Sequence, residues 1–163
     1  EDERSAIEKA ATKDDVPCLY WTATSLGKWA KSKGLSTLLK HKDTVKKYIE
    51  TVEKLDPEFF YGAADRYWGA YYSVAPSFAG GDVTKSKVHF DKSIAAQPGY
   101  LGTKVLMAHY YAVKQQDQTM FDMLLNEVVA ADPDSIPELG PENRAEQSKA
   151  KKLLEQKSDF FAN

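Results

Sequence analysis

The fold is decided by residues 57–99, which read PEFFYGAADRYWGAYYSVAPSFAGGDVTKSKVHFDKSIAAQPG. Seven of the nineteen aromatic residues of the chain fall within residues 59–72, so the helix predicted over this part is apolar on nearly every side. Pro76 ends that helix. Asp82 is a favourable N-cap for a second helix that stops at Pro98. The stretch therefore predicts a helical hairpin.

Apolar residues spaced by three or four positions continue on both sides of this hairpin. They predict further helices over residues 18–33, 42–55, 101–113, 118–131 and 142–160. Alternation with a period of two, which would indicate strands, appears nowhere in the sequence. We therefore predict an all-α fold.

Three prolines end the second helix of successive pairs. Pro57, Pro98 and Pro133 are spaced 41 and 35 residues apart, and a tetratricopeptide repeat is about 34 residues long. The small and aromatic positions of that repeat are matched by Gly69, Tyr72 and Phe90. We predict stacked antiparallel helical hairpins, as in a tetratricopeptide-like α-solenoid.

The composition is that of one globular domain. The 163 residues are 42% hydrophobic and 28% charged, which is enough to build a core. We predict a polar lead-in over residues 1–15 and a single helical-repeat domain over residues 16–163. The net charge of -2 gives no electrostatic reason to bind nucleic acid or an anionic membrane. The one cysteine, Cys18, excludes an internal disulfide and any site built from several cysteines.

No catalytic pattern is present in the sequence. His41, His89 and His109 are predicted to lie on separate helices, without a carboxylate partner at ligand spacing, so we expect structural or surface roles for them. The metal, nucleophile and phosphate-binding motifs HExxH, GxSxG, GxxxxGK and GxGxxG do not occur. We predict that the protein is not an enzyme and has no catalytic residue, metal or cofactor.

Aromatic density is the most informative functional signal. Nine tyrosines exceed what a leucine-type core needs, and a tyrosine that places its hydroxyl beside apolar surface suits a ligand pocket or a partner face. Some of these rings are expected to fill the core and others to line a pocket. The candidate pocket residues are Tyr20, Trp21, Trp68, Tyr71, Tyr72, Phe78, Tyr110 and Tyr111.

Lysines are concentrated in residues 28–54, which hold eight lysines and three acidic residues. One interpretation is a solvated helix face. The other is a docking patch for an acidic partner, with Lys40, Lys42, Lys46 and Lys47 as the candidate residues. The second interpretation supports an alternative function: a general tetratricopeptide scaffold that binds a peptide or an acidic partner.

Several short segments occur in an order typical of one family. They are Leu19-Tyr20-Trp21-Thr22-Ala23, Gly80-Gly81-Asp82, Tyr110-Tyr111-Ala112-Val113, Leu124-Leu125-Asn126-Glu127-Val128, Ala131-Asp132-Pro133-Asp134, and the final Asn143, Ala145, Ala150 and Leu153-Leu154. Together they resemble the T component (TatT family) of tripartite ATP-independent periplasmic (TRAP) transporters, from about Val16 to Phe160.

The resemblance implies a periplasmic protein of tetratricopeptide-like hairpins, attached to the membrane only through a lipid anchor upstream of this chain. Cys18 lies inside the first predicted helix and is not that anchor. The resemblance also implies association with the solute-binding P subunit and self-assembly, for example as a trimer. An apolar channel or pocket would receive a small apolar or organic-acid ligand. The expected function is that of a non-enzymatic auxiliary component of solute uptake.

Overall fold

The computed structural model describes residues 9–161, and helices account for most of them. The helices are α1 (Val16–Ser32), α2 (Leu35–Leu55), α3 (Phe59–Val74), α4 (Val83–Ala96), α5 (Leu101–Leu106, continued by the π-helical turn Met107–Ala112 and by Val113–Gln115), α6 (Gln118–Ala130) and α7 (Gly140–Glu155). No strand occurs within residues 9–161. The prediction of an all-α fold is confirmed.

The chain forms two compact units that divide between Ala64 and Asp65. Residues 1–8 of the predicted lead-in lie outside the described residues. The remainder of the lead-in ends in a 3-10 turn, Lys13–Asp15, where the Lys13 ammonium lies 3.2 Å from the Asp56 carboxylate. A single repeat domain over residues 16–163 stays a prediction.

Helices α1 and α2 form an antiparallel hairpin in the first unit. Gly34 joins them with a φ of 100°, a left-handed value that favours glycine. The buried residues recur at helical spacing: Val16, Tyr20, Ala23 and Ala30 on α1, and Val45, Ile49 and Val52 on α2. The predicted start of the second helix at residue 42 is wrong, because α2 begins directly after the turn at Leu35. The first turns of α2 are largely exposed, so they show no buried periodicity in the sequence.

Helix α3 begins with three residues in the left-handed conformation. Phe60, Tyr61 and Gly62 have φ values of 43°, 59° and 71°. Glycine adopts this conformation freely, whereas in Phe60 and Tyr61 the Cβ atom crowds the backbone at a cost of about 1–2 kcal/mol each. The Trp21 ring lies edge-on to the Phe60 ring, with centroids 5.4 Å apart, and this packing helps to hold the turn. The regular part of α3 therefore follows Gly62.

The core of the second unit is built from α4 to α7. Its fully buried members include Phe90 of α4, Phe121, Leu125 and Val128 of α6, and Ala150 of α7. The close approach of α3 to α4 occurs at Gly69, where an added Cβ would lie 2.7 Å from the Phe90 ring. The Ser86 hydroxyl also donates a 2.7 Å hydrogen bond to the Gly69 carbonyl. A glycine in the middle of α3 therefore lets a phenylalanine pack against the backbone.

The helix ends that a cap or a proline marks in the sequence agree with the prediction. Asp82 caps α4, with its carboxylate accepting hydrogen bonds from the backbone N–H groups of Thr84 and Lys85. Helices α2, α4 and α6 end two or three residues before Pro57, Pro98 and Pro133. The predicted final helix is shorter in the structure, since α7 stops at Glu155 and a 3-10 turn follows.

Candidate ligand and partner surfaces

The candidate aromatic residues of α3 pack against one another. The Trp68 and Tyr72 rings are stacked, with centroids 5.8 Å apart and planes 29° apart, and Trp68 is only 3% exposed. The Tyr71 hydroxyl donates a 2.6 Å hydrogen bond to the Ala79 carbonyl. The Lys85 ammonium lies 5.6 Å from the centroid of the Tyr72 ring. Trp68 is therefore a packing residue of the second unit, while Tyr71 and Tyr72 are half-buried beside it.

This cluster contains a histidine–carboxylate pair that the sequence analysis missed. His89 of α4 lies with its Nδ1 atom 2.6 Å from the Oδ1 atom of Asp65 on α3. The His89 ring also stacks on Tyr72, with centroids 5.5 Å and planes 23° apart. The sequence prediction concerned carboxylates at ligand spacing from a histidine, and this pair does not have such a spacing. The two residues are 24 positions apart on different helices, so no spacing within one helix indicates the pair.

A π-helical turn places the two adjacent candidate tyrosines of α5. Met107–Ala112 has the wider π geometry, and such turns often occur at functional sites. The Tyr110 ring stacks on His109, with centroids 4.9 Å apart, and the His109 ring also contacts Phe160 at 5.4 Å. Tyr111 instead lines a groove of about 250 Å³.

The groove combines charged, polar and apolar side chains. Its lining residues are Val83, Thr84, Lys87, Val88 and Asp91 of α4, and Tyr111 and Gln115 of α5. The Lys87 ammonium donates a 2.7 Å hydrogen bond to Asp91, and this bond raises the pKa of Lys87. Lys87 is therefore positively charged at neutral pH. Tyr111 is the one candidate pocket residue that the structure places in this groove.

The remaining candidate aromatics are divided between the units. Tyr20 of the first unit is buried and lies edge-on to Phe59, with centroids 5.5 Å apart. Trp21 is next to it but 51% exposed. Phe78 of the second unit is 76% exposed, on the 3-10 turn Ser77–Ala79. Tyr20 and Trp21 therefore belong to one compact unit and Phe78 to the other.

The four candidate lysines all lie on α2. Lys40 is exposed, and Lys42, Lys46 and Lys47 are half-buried. The Lys42 ammonium lies 3.8 Å from the carboxylate of Asp43. Lys40 and Lys47 lie on one side of the helix, and Lys42 and Lys46 lie on the opposite side. The four lysines therefore share an element and form two pairs on different faces.

A buried polar network in the second unit was also missed. Arg66 is 4% exposed, and its guanidinium lies 4.2 Å from the centroid of the Tyr100 ring. The Tyr100 hydroxyl donates a 2.6 Å hydrogen bond to Glu142, and burial raises the pKa of Tyr100 well above its ordinary value. Next to it, the fully buried Asn143 accepts from the Leu101 N–H and donates to two backbone carbonyls. These contacts join α7 to the start of α5 and support a structural role.

Residues 9–161 hold neither a metal-binding cluster of side chains nor a membrane-spanning helix. Within residues 9–161, no three histidine, cysteine, aspartate or glutamate side chains are grouped so that they could hold a metal ion. Among the helices of this same part of the chain, none has the length and apolar character needed to cross a membrane.

Comparison with known proteins assigns the chain to a family. The model of the TAtT family, described as the TRAP transporter T-component, matches residues 1–161. A comparison with curated proteins gave no match. The family match extends over both compact units.

Proposed function

The chain belongs to the family of TRAP transporter T-components, and from this premise we propose that it is a non-enzymatic periplasmic subunit that binds the solute-binding P subunit. The observation that carries the proposal is the family match over residues 1–161. The structure supports a binding role through exposed aromatic residues in the first unit, including Trp21 and Trp29. Lipid anchoring upstream of the chain and assembly as a trimer belong to the same proposal.

The partner proposal is tested by immobilising this chain and measuring the binding of the P subunit from the same organism by biolayer interferometry. We expect saturable binding with a micromolar or lower Kd, which corresponds to a binding free energy of about -8 kcal/mol or stronger. The control is an unrelated periplasmic binding protein of similar net charge. Equal signals from the P subunit and this control would contradict the proposal.

The same family role includes a ligand, and the groove between α4 and α5 is the site that suits one. The Lys87 ammonium donates one hydrogen bond to Asp91 and has two further N–H donors that suit a carboxylate. The Tyr111 hydroxyl suits a further polar group, and Val83 and Val88 supply apolar contact. The volume of about 250 Å³ is slightly below the roughly 300–1,000 Å³ of drug-sized ligand pockets, so the groove suits only a ligand of a few heavy atoms. The ligand class proposed here is therefore a small organic acid.

The ligand proposal is tested by NMR titration of the isotopically labelled chain with a panel of small mono- and dicarboxylates. We expect saturable shifts at Lys87 and Tyr111, and Lys87→Met should weaken binding about tenfold because it removes a charge-assisted hydrogen bond. Lys92→Met, on an exposed position of the same helix, is the matched control. Equal binding by the two variants would refute the assignment of the groove.

The lysines of α2 favour an alternative, in which the chain is a general scaffold for peptides or acidic proteins. Substituting Lys40 and Lys47 with glutamine distinguishes the two functions. A general scaffold would bind many acidic peptides and lose them in this variant, since salt-sensitive contacts through lysine would supply the affinity. A T-component should prefer its P subunit over such peptides at physiological ionic strength.

A further inference from the structure

We propose that the P subunit docks on one exposed face of α1, which we name the α1 tryptophan face, and that it contacts this face with acidic side chains of its own. Its residues are Cys18, Trp21, Ser25, Lys28, Trp29 and Ser32. The inference rests on the proposed function, because the partner it concerns is the P subunit. It adds the surface that is used and the charge that the partner must carry there.

Helical geometry brings these residues into one stripe. Their spacings of three, four, three, one and three residues confine them to about 100° of the helix circumference. All six are exposed, whereas Val16, Tyr20, Ala23 and Ala30 of the same helix are buried. The tryptophan face is therefore the side of α1 directed away from its packed side.

The two tryptophans have unusual exposure for such large apolar side chains. Trp21 is 51% and Trp29 is 47% exposed. Isolated exposed apolar residues are common on protein surfaces. Two tryptophans on one helix face, however, form a surface whose burial would contribute strongly to binding, because tryptophan is among the residues most enriched at interface hot spots.

Both indole rings are already held in place by neighbouring rings. Trp21 lies edge-on to Phe60 with centroids 5.4 Å and planes 61° apart, and Trp29 lies edge-on to His41 with centroids 5.5 Å and planes 72° apart. A side chain that is fixed before binding loses less conformational entropy when a partner covers it. The tryptophan face thus has large anchors that need little reordering.

The charge around this face indicates the chemistry of the partner. Helix α1 contains no acidic residue, and Lys28 and Lys31 lie on its exposed side. Residues 28–54 hold eight lysines and three acidic residues, although the whole chain has a net charge of -2. The positive charge is therefore concentrated in this hairpin. Complementary potentials favour a partner surface with aspartate or glutamate residues around an apolar centre.

The inference is tested by measuring P-subunit affinity for the wild-type chain, Trp29→Ala and Lys28→Glu. We expect Trp29→Ala to weaken binding roughly tenfold or more, as for the loss of a hot-spot ring. Lys28→Glu should weaken P-subunit binding several-fold, and added salt should reduce the difference in affinity between this variant and the wild type. Met123→Ala, which removes a side chain of α6 with 51% exposure, and Lys151→Glu on α7 are the matched controls.

The outcomes separate this inference from the proposed function. If the wild-type chain binds the P subunit and the α1 variants bind equally well, the docking surface is wrong and the proposed function stands. If the wild-type chain does not bind, both fail. Trp29→Ala removes a half-exposed ring, and circular dichroism checks that each variant is folded. An anionic membrane is the other occupant that would suit a helix face with tryptophans and lysines. Binding to anionic phospholipid vesicles would shift the tryptophan emission of the chain to the blue. That shift, together with unchanged P-subunit affinity in the α1 variants, would also overturn the inference.

Discussion

Gly69→Ala should destabilise the protein, although it replaces glycine by alanine in the middle of a helix. On helix propensity alone the change would be stabilising by about 1 kcal/mol. At this position, however, the new Cβ would lie 2.7 to 2.8 Å from three carbon atoms of the Phe90 ring. Ordinary contacts between carbon atoms are about 3.5–4.0 Å, and the fully buried Phe90 has no solvent into which it can move.

The expected size follows from these two opposing effects. Overpacking a core costs about 1–3 kcal/mol, and three contacts of 2.7 to 2.8 Å place this site in the upper part of that range. After the gain in propensity of about 1 kcal/mol, we expect a net loss of about 1–2 kcal/mol in the free energy of unfolding. Urea denaturation followed by circular dichroism measures it as a lower midpoint with an unchanged slope. Gly27→Ala is the matched control, because its Cβ would meet only Val45 at an ordinary 3.9 Å. That variant should be more stable than the wild type.

A double-mutant cycle identifies the cause. Phe90→Leu makes room at the contact, so the cost of Gly69→Ala should be smaller by about 1 kcal/mol in the Phe90→Leu background. The reasoning is refuted if Gly69→Ala is as stable as the wild type, or if its cost is the same in both backgrounds. Either result would mean that α3 and α4 do not approach each other in the way described.

Three further predictions concern caps and buried polar groups. Asp82→Ala should lower the free energy of unfolding by about 1 kcal/mol, because the carboxylate caps two N–H groups of α4; Asp82→Asn, which keeps an acceptor, should lose less in the same urea titration. Asn143→Ala should cost roughly 3 kcal/mol, since it leaves buried backbone groups such as the Leu101 N–H without their hydrogen bond; a thermal midpoint equal to that of the wild type would contradict this. The raised pKa of Tyr100 stabilises the fold below the unfolded-state value of 10.0, and this contribution is lost as the pH rises above it. Tyr100→Phe should therefore flatten the alkaline limb of a stability–pH profile, and an unchanged limb would show that another group controls it.

Helix ends were predictable because local chemistry determines them. Asp82 accepts hydrogen bonds from the first N–H groups of its own helix, and Pro98 restricts the backbone of the residue before it. Neither effect depends on what the rest of the chain does. The left-handed turn at Phe60 and Tyr61 is the contrary case, because nothing in those two side chains favours a positive φ. Such a turn depends on tertiary packing.

The sequence suggests candidate site residues by their type, whereas their arrangement depends on the fold. The sequence identified Tyr111 as a candidate pocket residue, and it does line a groove. The same reasoning included Trp68, which is buried against Tyr72. Whether an aromatic ring lines a pocket or fills the core depends on side chains from other helices. The pairing of His89 with Asp65 likewise depends on how two helices pack against each other.

The proposed function requires that this chain form a complex with the P subunit of a TRAP transporter. Light scattering coupled to size-exclusion chromatography tests it most directly, with each protein alone and with their mixture. We expect a new species in the mixture whose mass is a whole-number combination of the masses of the two chains. The 18.2 kDa mass of this chain then gives the subunit ratio of the complex. Two unshifted peaks with the masses of the separate proteins, at concentrations well above micromolar, would contradict it.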